Sequence, residues 1–228
     1  MPSNRTAISA GAPRRTRGPG RAARQRAGAA DLHREIERQG GAFRQGLLEL
    51  DDAHAEAINR EGLLLVTQAG EQRVKAHLRA VSQPSQLTAQ PDDVILLTVK
   101  TAQTEEAVHQ LRDTFSEETP IVCLQNAVRN EEWAARRFKH VYGAMVGVSA
   151  TLLRPGAISW TMGTAISLGN YPLGCDEYAR ELAGILAQAG FQTTTHEHIM
   201  GVKWSKLLLN LNNPVNALSG GNQQKVVL

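Results

Sequence analysis

The pattern with the clearest chemical meaning lies between residues 204 and 220. On a helix, one side of this stretch is polar and carries Lys206, Asn210 and Asn213. A surface helix usually fills its polar side with charged residues, whereas this one offers an ammonium group and carboxamides, which donate and accept hydrogen bonds without adding charge. The pattern predicts one wall of a cleft for a polar carbonyl compound. An amphipathic packing helix with incidental asparagines is the alternative. The apolar side consists of Trp204, Leu207, Leu208, Leu211, Val215 and Leu218.

Two further polar groups directly follow apolar runs that are typical of buried strands. Lys100 follows residues 94–99, and Gln125 with Asn126 follows residues 120–124. Because parallel strands end at one edge of a sheet, where ligands bind, we expect these side chains to lie over a crevice. A solvated loop lysine is the alternative interpretation of Lys100.

The elements that must position these groups alternate between strands and helices. Gly70 marks the turn of a hairpin formed by the second and third strands, and Pro155-Gly156 joins the last two. This alternation predicts an α/β fold with a mostly parallel sheet. We predict strands at residues 46–50, 63–67, 73–81, 94–99, 120–124, 141–148 and 157–166. We predict helices at residues 53–60, 104–114, 131–138 and 176–188.

Composition and charge narrow the classes of function. With 228 residues, 42% of them apolar, the chain can form one ordinary domain and part of a second. Residues 1–50 hold ten arginines and four acids, whereas residues 51–228 hold fifteen basic and eighteen acidic residues. This slightly acidic body argues against a nucleic-acid partner. Cys123 and Cys175 have no metal-ligand spacing, so we predict no metal site and a reducing cytoplasm. No apolar run reaches the roughly 18 residues of a membrane span.

Four ordered segments resemble one protein family. They are residues 54–62 (HAEAINREG), 93–100 (DVILLTVK), 121–126 (IVCLQN) and 202–210 (VKWSKLLLN). The match covers about residues 47–220, and the chain resembles the ketopantoate reductases (2-dehydropantoate 2-reductases). The resemblance implies a Rossmann-like dinucleotide-binding domain at residues 46–197. It also implies the first helix of an all-α substrate domain, truncated here, at residues 198–228. Residues 1–45 are expected to be disordered or non-native.

The same resemblance implies a reaction and a set of site residues. The family reduces 2-dehydropantoate to pantoate with NADPH, in pantothenate biosynthesis, so the expected partner is a small 2-oxo acid. Lys206 takes the role of general acid, which protonates the alkoxide that hydride transfer creates. Asn210 and Asn213 are expected to bind substrate, Asn126 to contact both nicotinamide and substrate, and Lys100 to lie near the cofactor.

One cation that could lower the pKa of Lys206 lies on its own helix. Lys203 is one helical turn before it, and Lys100, across the cleft, is the other candidate. Pro214 stands where the family often has its next asparagine, which places Asn213 one residue early, and it predicts a local kink.

The expected glycine-rich phosphate loop is degraded. Residues 7–12 run into Pro13, and residues 18–23 fit G-x-G-x-x-A only formally, because they follow Arg-Thr-Arg and not a strand. A native sequence in another reading frame upstream of residue 46 is one explanation. Asp51 ends the second predicted strand, where an acid favours the ribose hydroxyls of NAD over the 2′-phosphate of NADP. NAD is therefore an alternative cofactor, and a helix N-cap is an alternative role for Asp51.

The sequence leaves other functions open. Residues 218–228 resemble the signature motif of sugar-importing ABC transporter ATPases, but that motif needs a G-x-x-x-x-G-K-[ST] loop, which this sequence lacks. A truncated or chimeric, inactive remnant of the reductase family is a second possibility, and it predicts poor solubility. A reductase of a related 2-oxo acid or imine is a third, because a fold does not determine a substrate. The sequence does not predict an oligomeric state.

Overall fold

The computed structural model describes residues 45–48, 52–75 and 78–211. Strands and helices alternate through these residues as predicted. The strands are β1 (Gln45–Leu48), β2 (Leu63–Thr67), β3 (Gly70–Val74), β4 (Leu78–Val81), β5 (Ile95–Leu97), β6 (Ile121–Cys123), β7 (Val141–Arg154), β8 (Ala157–Asn170) and β9 (Gln192–Thr195). The helices are α1 (Asp52–Glu61), α2 (Thr104–Leu111), α3 (Asn130–Ala135), α4 (Glu177–Gln188) and α5 (Ile199–Leu211).

The strands form two sheets. The larger has the order β3-β2-β8-β7-β6-β5, with β9 also beside β8, and the smaller pairs β1 with β4. Five of the strand pairs are parallel, and β2–β3 and β7–β8 are antiparallel. In the doubly wound strand order 3-2-1-4-5-6, β4 and β1 correspond to strands 3 and 2, and β5, β6 and β7 correspond to strands 4, 5 and 6. None of the described strands corresponds to strand 1. The predicted Rossmann-like α/β fold with a mostly parallel sheet is confirmed.

The core lies on both faces of this sheet, because successive side chains of a strand point to opposite sides. On β6, Ile121 and Cys123 pack with α2 and α3 on one face. Val122 and Leu124 pack with α4 on the other. Burial on both faces explains why this strand is a continuous apolar run.

The N-terminal hairpin differs from its prediction. The strand predicted at residues 73–81 is wrong: the chain turns back at once, Thr67 pairs with Gly70, and β3 is the returning strand. Residues 78–81 are a separate strand, parallel to β1. The side chain of Asn59 on α1 binds both the N–H and the carbonyl of Ala80, which holds β4 against that helix. These long-range partners have no local sequence signal.

The β7–β8 hairpin is longer than predicted, at fourteen residues on each side. The residues beyond the prediction are 149–154 on β7 and 167–170 on β8, where Gly169 and Asn170 have low strand propensity. Cross-strand pairing nevertheless joins the two strands from Tyr142 and Asn170 to Arg154 and Ala157, with three register shifts between Gly147 and Arg154. Pairing with the partner strand therefore holds residues in a β-strand that their own sequence does not predict.

Helix α5 meets this hairpin where two glycines face each other. Gly143 on β7 and Gly169 on β8 are cross-strand partners. A Cβ atom at Gly169 would lie 2.1 Å from the carbonyl oxygen of His196 and 2.9 Å from Cβ of Ile199. A Cβ atom at Gly143 would lie 3.2 Å from Cγ2 of the same isoleucine. Ile199 is fully buried and is the first residue of α5. The glycine pair therefore forms the seat of this helix.

Backbone strain is present at one residue of the loop that follows β6. Ala127, next to Asn126, has φ +73°, and it is the one non-glycine residue with positive φ in the described ranges. In that region Cβ crowds the following carbonyl oxygen, which costs about 1–2 kcal/mol. The loop therefore holds a conformation that alanine does not favour.

We expect Gly169→Ala to lower the free energy of unfolding by about 3 kcal/mol, because the added methyl group meets backbone that no side-chain rotation can clear. Urea unfolding followed by circular dichroism measures this change. Gly184→Ala is the matched control, since a Cβ atom there meets nothing within 4 Å and the position lies inside α4. It should raise stability by about 0.5–1 kcal/mol. Equal stability of the two variants would contradict the close approach at residue 169.

Ala127→Gly should instead raise the free energy of unfolding by about 1 kcal/mol, because glycine adopts positive φ without strain. The same change at Ala135, an exposed residue of α3, should lower it by a similar amount. Thermal unfolding of both variants tests the opposite signs. A loss of stability at residue 127 would show that the strain is absent.

Candidate active site

A polar cleft lies where α5 crosses the carboxyl end of β6 and residues 144–146 of β7. Among the described residues, two lysines and three residues with carboxamide side chains line it, and no carboxylate does. Such a wall suits an anionic ligand that carries a carbonyl group. The lining consists of Gln125, Asn126, Ala127, Ala144, Met145, Val146, Lys203, Lys206, Leu207 and Asn210.

Lys206 connects α5 with the sheet across this cleft. Its Nζ donates a hydrogen bond to Oδ1 of Asn126 at 2.9 Å and another to the backbone carbonyl of Val146 on β7. The lysine is half-buried. Its ammonium group is therefore held in a defined place at the carboxyl end of β6.

A buried hydrogen-bond network on the interior side of the cleft holds the backbone of Asn126. Nδ2 of Asn130 donates to the carbonyl of Asn126 at 2.8 Å, and Thr104 Oγ1 donates to Oδ1 of Asn130 at 3.2 Å. Nε2 of Gln125 donates to Thr104 Oγ1 at 2.7 Å and to the carbonyl of Val99 at 2.6 Å. The backbone of Asn126 is thus held by the protein interior, while its carboxamide lies at the surface of the cleft.

A buried ion pair lies beside this network. Lys203 Nζ on α5 contacts Oε1 of Glu131 on α3, with side chains 3% and 0% exposed. Burial raises the pKa of the Glu131 carboxyl, and the neighbouring ammonium opposes that rise. Burial also raises the pKa of the Cys123 thiol well above its usual range, so this thiol stays protonated at neutral pH.

The structure brings together four of the residues that the sequence predicts, since Gln125 lies in the wall of the cleft beside Asn126. Lys206, Asn126 and Asn210 all line the cleft. Lys100 is exposed at the start of a short 3-10 turn after β5 and is not among the lining residues. Asn213 and Asp51 lie outside the described residues, as do both candidate phosphate loops and residues 218–228. The chemical roles of all these residues stay predictions.

Sequence reasoning missed Glu131. The residue was included in a predicted helix without a role, although it shares a helix-spaced stripe with Ala134 and Phe138, both buried. A carboxylate inside an apolar stripe is the signal that could have identified it. Thr104 and Asn130 offered no such signal, because each stands at the start of a helix, where polar residues are ordinary.

The described residues offer neither a metal site nor a membrane span. In residues 45–48, 52–75 and 78–211, no group of three or more His, Cys, Asp and Glu side chains is arranged to hold a metal ion. Across the same ranges, every helix is too short or too polar to cross a bilayer.

Known proteins that resemble this chain point to one family. The family model described as ketopantoate reductase PanE/ApbA matches residues 44–172, more than half of the chain. The 2-dehydropantoate 2-reductase of Pyrococcus horikoshii is 30% identical over 166 residues, which cover 72% of this chain and 53% of that protein. The resemblance of residues 218–228 to an ATPase motif finds no support in these matches.

Solved structures agree with this result. The crystal structure of 2-dehydropantoate 2-reductase from Methylococcus capsulatus has a TM-score of 0.68 and 26% identity, covering 85% of this chain and 63% of that one. The ternary structure of D-mandelate dehydrogenase with NADH and anilino(oxo)acetate has a TM-score of 0.66 and 21% identity, a likeness of fold alone. The chain therefore spans between about half and two thirds of the length of these proteins. On the match over residues 44–172, the chain belongs to the ketopantoate reductase PanE/ApbA family.

Proposed function

We propose that this protein reduces 2-dehydropantoate to pantoate with NADPH, as an oxidoreductase of pantothenate biosynthesis. The observation that carries the proposal is the meeting of Lys206, Asn126 and Asn210 in one cleft, beside the carboxyl end of β6 and residues 144–146 of β7. The family to which the chain belongs supports the choice of reaction.

The charge of the cleft favours an acid as substrate. Among the described residues, Lys206 contributes an ammonium group to the cleft and no carboxylate lines it, while the ammonium group of Lys203 is paired with the buried Glu131. A carboxylate that replaces water in such a site gains charge-assisted hydrogen bonds, which are about twice as strong as neutral ones. The carboxamide of Asn210 offers both a donor and an acceptor to the remaining oxygens of the substrate.

Lys206 is the proton donor in this proposal. Reduction of a ketone places negative charge on the carbonyl oxygen, which must receive a proton. The ammonium group is already held by Asn126 and Val146, so it loses little orientational freedom when substrate binds. To act, it exchanges one of these acceptors for the substrate oxygen.

The described part of the cleft fits the nicotinamide end of a dinucleotide. Doubly wound sheets bind such cofactors at the carboxyl ends of their strands, where Asn126 presents an exposed carboxamide. Oε1 of Gln125, in the same wall, is buried and has no hydrogen-bond partner among the described groups. These two residues would hold the nicotinamide, which supplies the hydride, and the exposed Lys100 would lie near the rest of the cofactor. The choice between NADPH and NADH depends on groups such as Asp51, so a test of activity uses both cofactors.

We also infer a cytoplasmic location and a small-molecule partner. Cys123 and Cys175 are free thiols, as expected of a protein in a reducing compartment. The slight excess of acids in residues 51–228 speaks against binding of the body to nucleic acid.

Lys206→Ala should lower kcat for 2-dehydropantoate by about 10²–10⁴-fold, the usual contribution of a positioned general acid. Loss of NADPH or NADH absorbance measures turnover, and circular dichroism confirms that the variant is folded. Lys75→Ala is the matched control, because this exposed lysine binds only the carbonyl of Arg60 among the described hydrogen bonds, away from the cleft. It should keep the rate of the unmodified protein.

Three results would contradict parts of the proposal. A soluble, folded chain without turnover on either cofactor would favour an inactive remnant of the family. Full turnover by Lys206→Ala would remove this lysine from the chemistry. Faster turnover of another 2-oxo acid than of 2-dehydropantoate would assign the related reductase activity.

A further inference from the structure

The buried polar side chains of the described residues gather beneath the cleft. Only two of them, His54 and Ser167, lie elsewhere in these ranges. Burial of polar groups is costly unless they are paired, so a cluster of this kind usually has a specific role. Its members are Thr104, Gln125, Asn130, Glu131 and Lys203.

The ion pair joins the same two parts of the molecule as the Lys206–Asn126 hydrogen bond. Glu131 follows Asn130, whose side chain holds the carbonyl of Asn126. Lys203 lies three residues before Lys206, and residues at this spacing are neighbours on one helix face. Helix α5 is therefore attached to the loop after β6 and to α3 at two adjacent points, one deeply buried and one in the cleft.

Stability alone does not account for this pair. Replacement of a buried ion pair by well-packed apolar side chains is often neutral or stabilising, because the cost of removing two charges from water is large. In addition, Oε2 of Glu131 is buried without a hydrogen-bond partner among the described groups. An incompletely bonded buried pair is better explained by the geometry that it enforces.

We propose that Glu131 and Lys203 are positioning residues for Lys206: their contact sets the register of α5 at which the Lys206 ammonium meets Asn126. The importance of this register for catalysis rests on the proposed function. The positioning itself is measurable without turnover, through the chemical reactivity of the Lys206 amine.

The test is trace acetylation with acetic anhydride, in which peptide mass spectrometry compares Lys206 with the exposed Lys75 of the same molecule. The variants are Asn126→Ala, the double variant Glu131→Leu with Lys203→Met, and the combination of all three. The double variant removes a cation and an anion together, so the net charge near Lys206 is unchanged. A change in reactivity then reports the position of the amine.

We expect Asn126→Ala to raise the acetylation rate of Lys206 at least about threefold, because the ammonium loses a hydrogen-bond acceptor. The double variant should raise it by a similar factor, and the triple variant should add nothing further, since the lost contact is the same. In a chain that turns over substrate, kcat of the double variant should fall with little change in KM.

Two results would overturn the proposal. One is a folded double variant whose Lys206 reacts at the rate of the unmodified protein. The other is a triple variant in which the two effects multiply, as independent effects do. If the double variant does not fold, Glu131→Asp takes its place, because it keeps both charges and withdraws the carboxylate by one methylene. It should raise the rate by a smaller factor, and an unchanged rate would refute positioning.

The matched control is Glu132→Leu with Arg136→Met. Glu132 and Arg136 form an exposed ion pair at α3, and neither residue lines the cleft. The two substitutions remove one anion and one cation, as the Glu131 and Lys203 substitutions do. Its Lys206 should react at the unmodified rate. Failure of the proposed function would leave the acetylation result standing, since absence of turnover alone says nothing about the amine.

Discussion

The close approach of α5 to the β7–β8 hairpin is the constraint on which the rest of the site depends. Two facing glycines remove the side chains that would keep the helix away, and Ile199 fills the space. Protein interiors are packed densely, so a helix seated in this way has little freedom to shift. The positions of Lys203 and Lys206 follow from it, because both project from the same helix a turn or two later.

The site then combines a rigid interior with an accessible edge. Carboxamides and a hydroxyl hold the backbone after β6 from inside the sheet, and the strained Ala127 stands next to the residue that they hold. Unfavourable backbone conformations persist only where surrounding contacts determine them, and they often lie at functional sites. The cluster beneath Asn126 supplies such contacts, which leaves its carboxamide presented to the cleft in one arrangement.

Local patterns in the sequence predicted the strands around the cleft and four of its polar residues, Gln125, Asn126, Lys206 and Asn210. The run before Asn126 is apolar on both faces, and its strand β6 is buried on both, as predicted. The equally apolar run before Lys100 predicted the same, but Leu96 of β5 is exposed. Lys206 and Asn210 are one helical turn apart, which places them on one face in any helix.

The features that could not be predicted depend on distant partners. The separate strand at residues 78–81 exists because β1 and Asn59 bind it, and neither is a neighbour in sequence. The pairing of Glu131 with Lys203 joins residues 72 positions apart, which the spacing of either one does not reveal. The positive φ of Ala127 was equally invisible, because alanine is not the residue that such a conformation favours.

The burial of Cys123 has a consequence for the kinetics of the fold. Its protonated thiol lies at the end of β6 beneath α2 and α3, whereas Cys175 is partly exposed. A thiol reagent can therefore modify Cys175 directly but reaches Cys123 only when the sheet core opens. The two cysteines are therefore modified at different rates, and the slower rate, that of Cys123, reports how often local unfolding exposes β6.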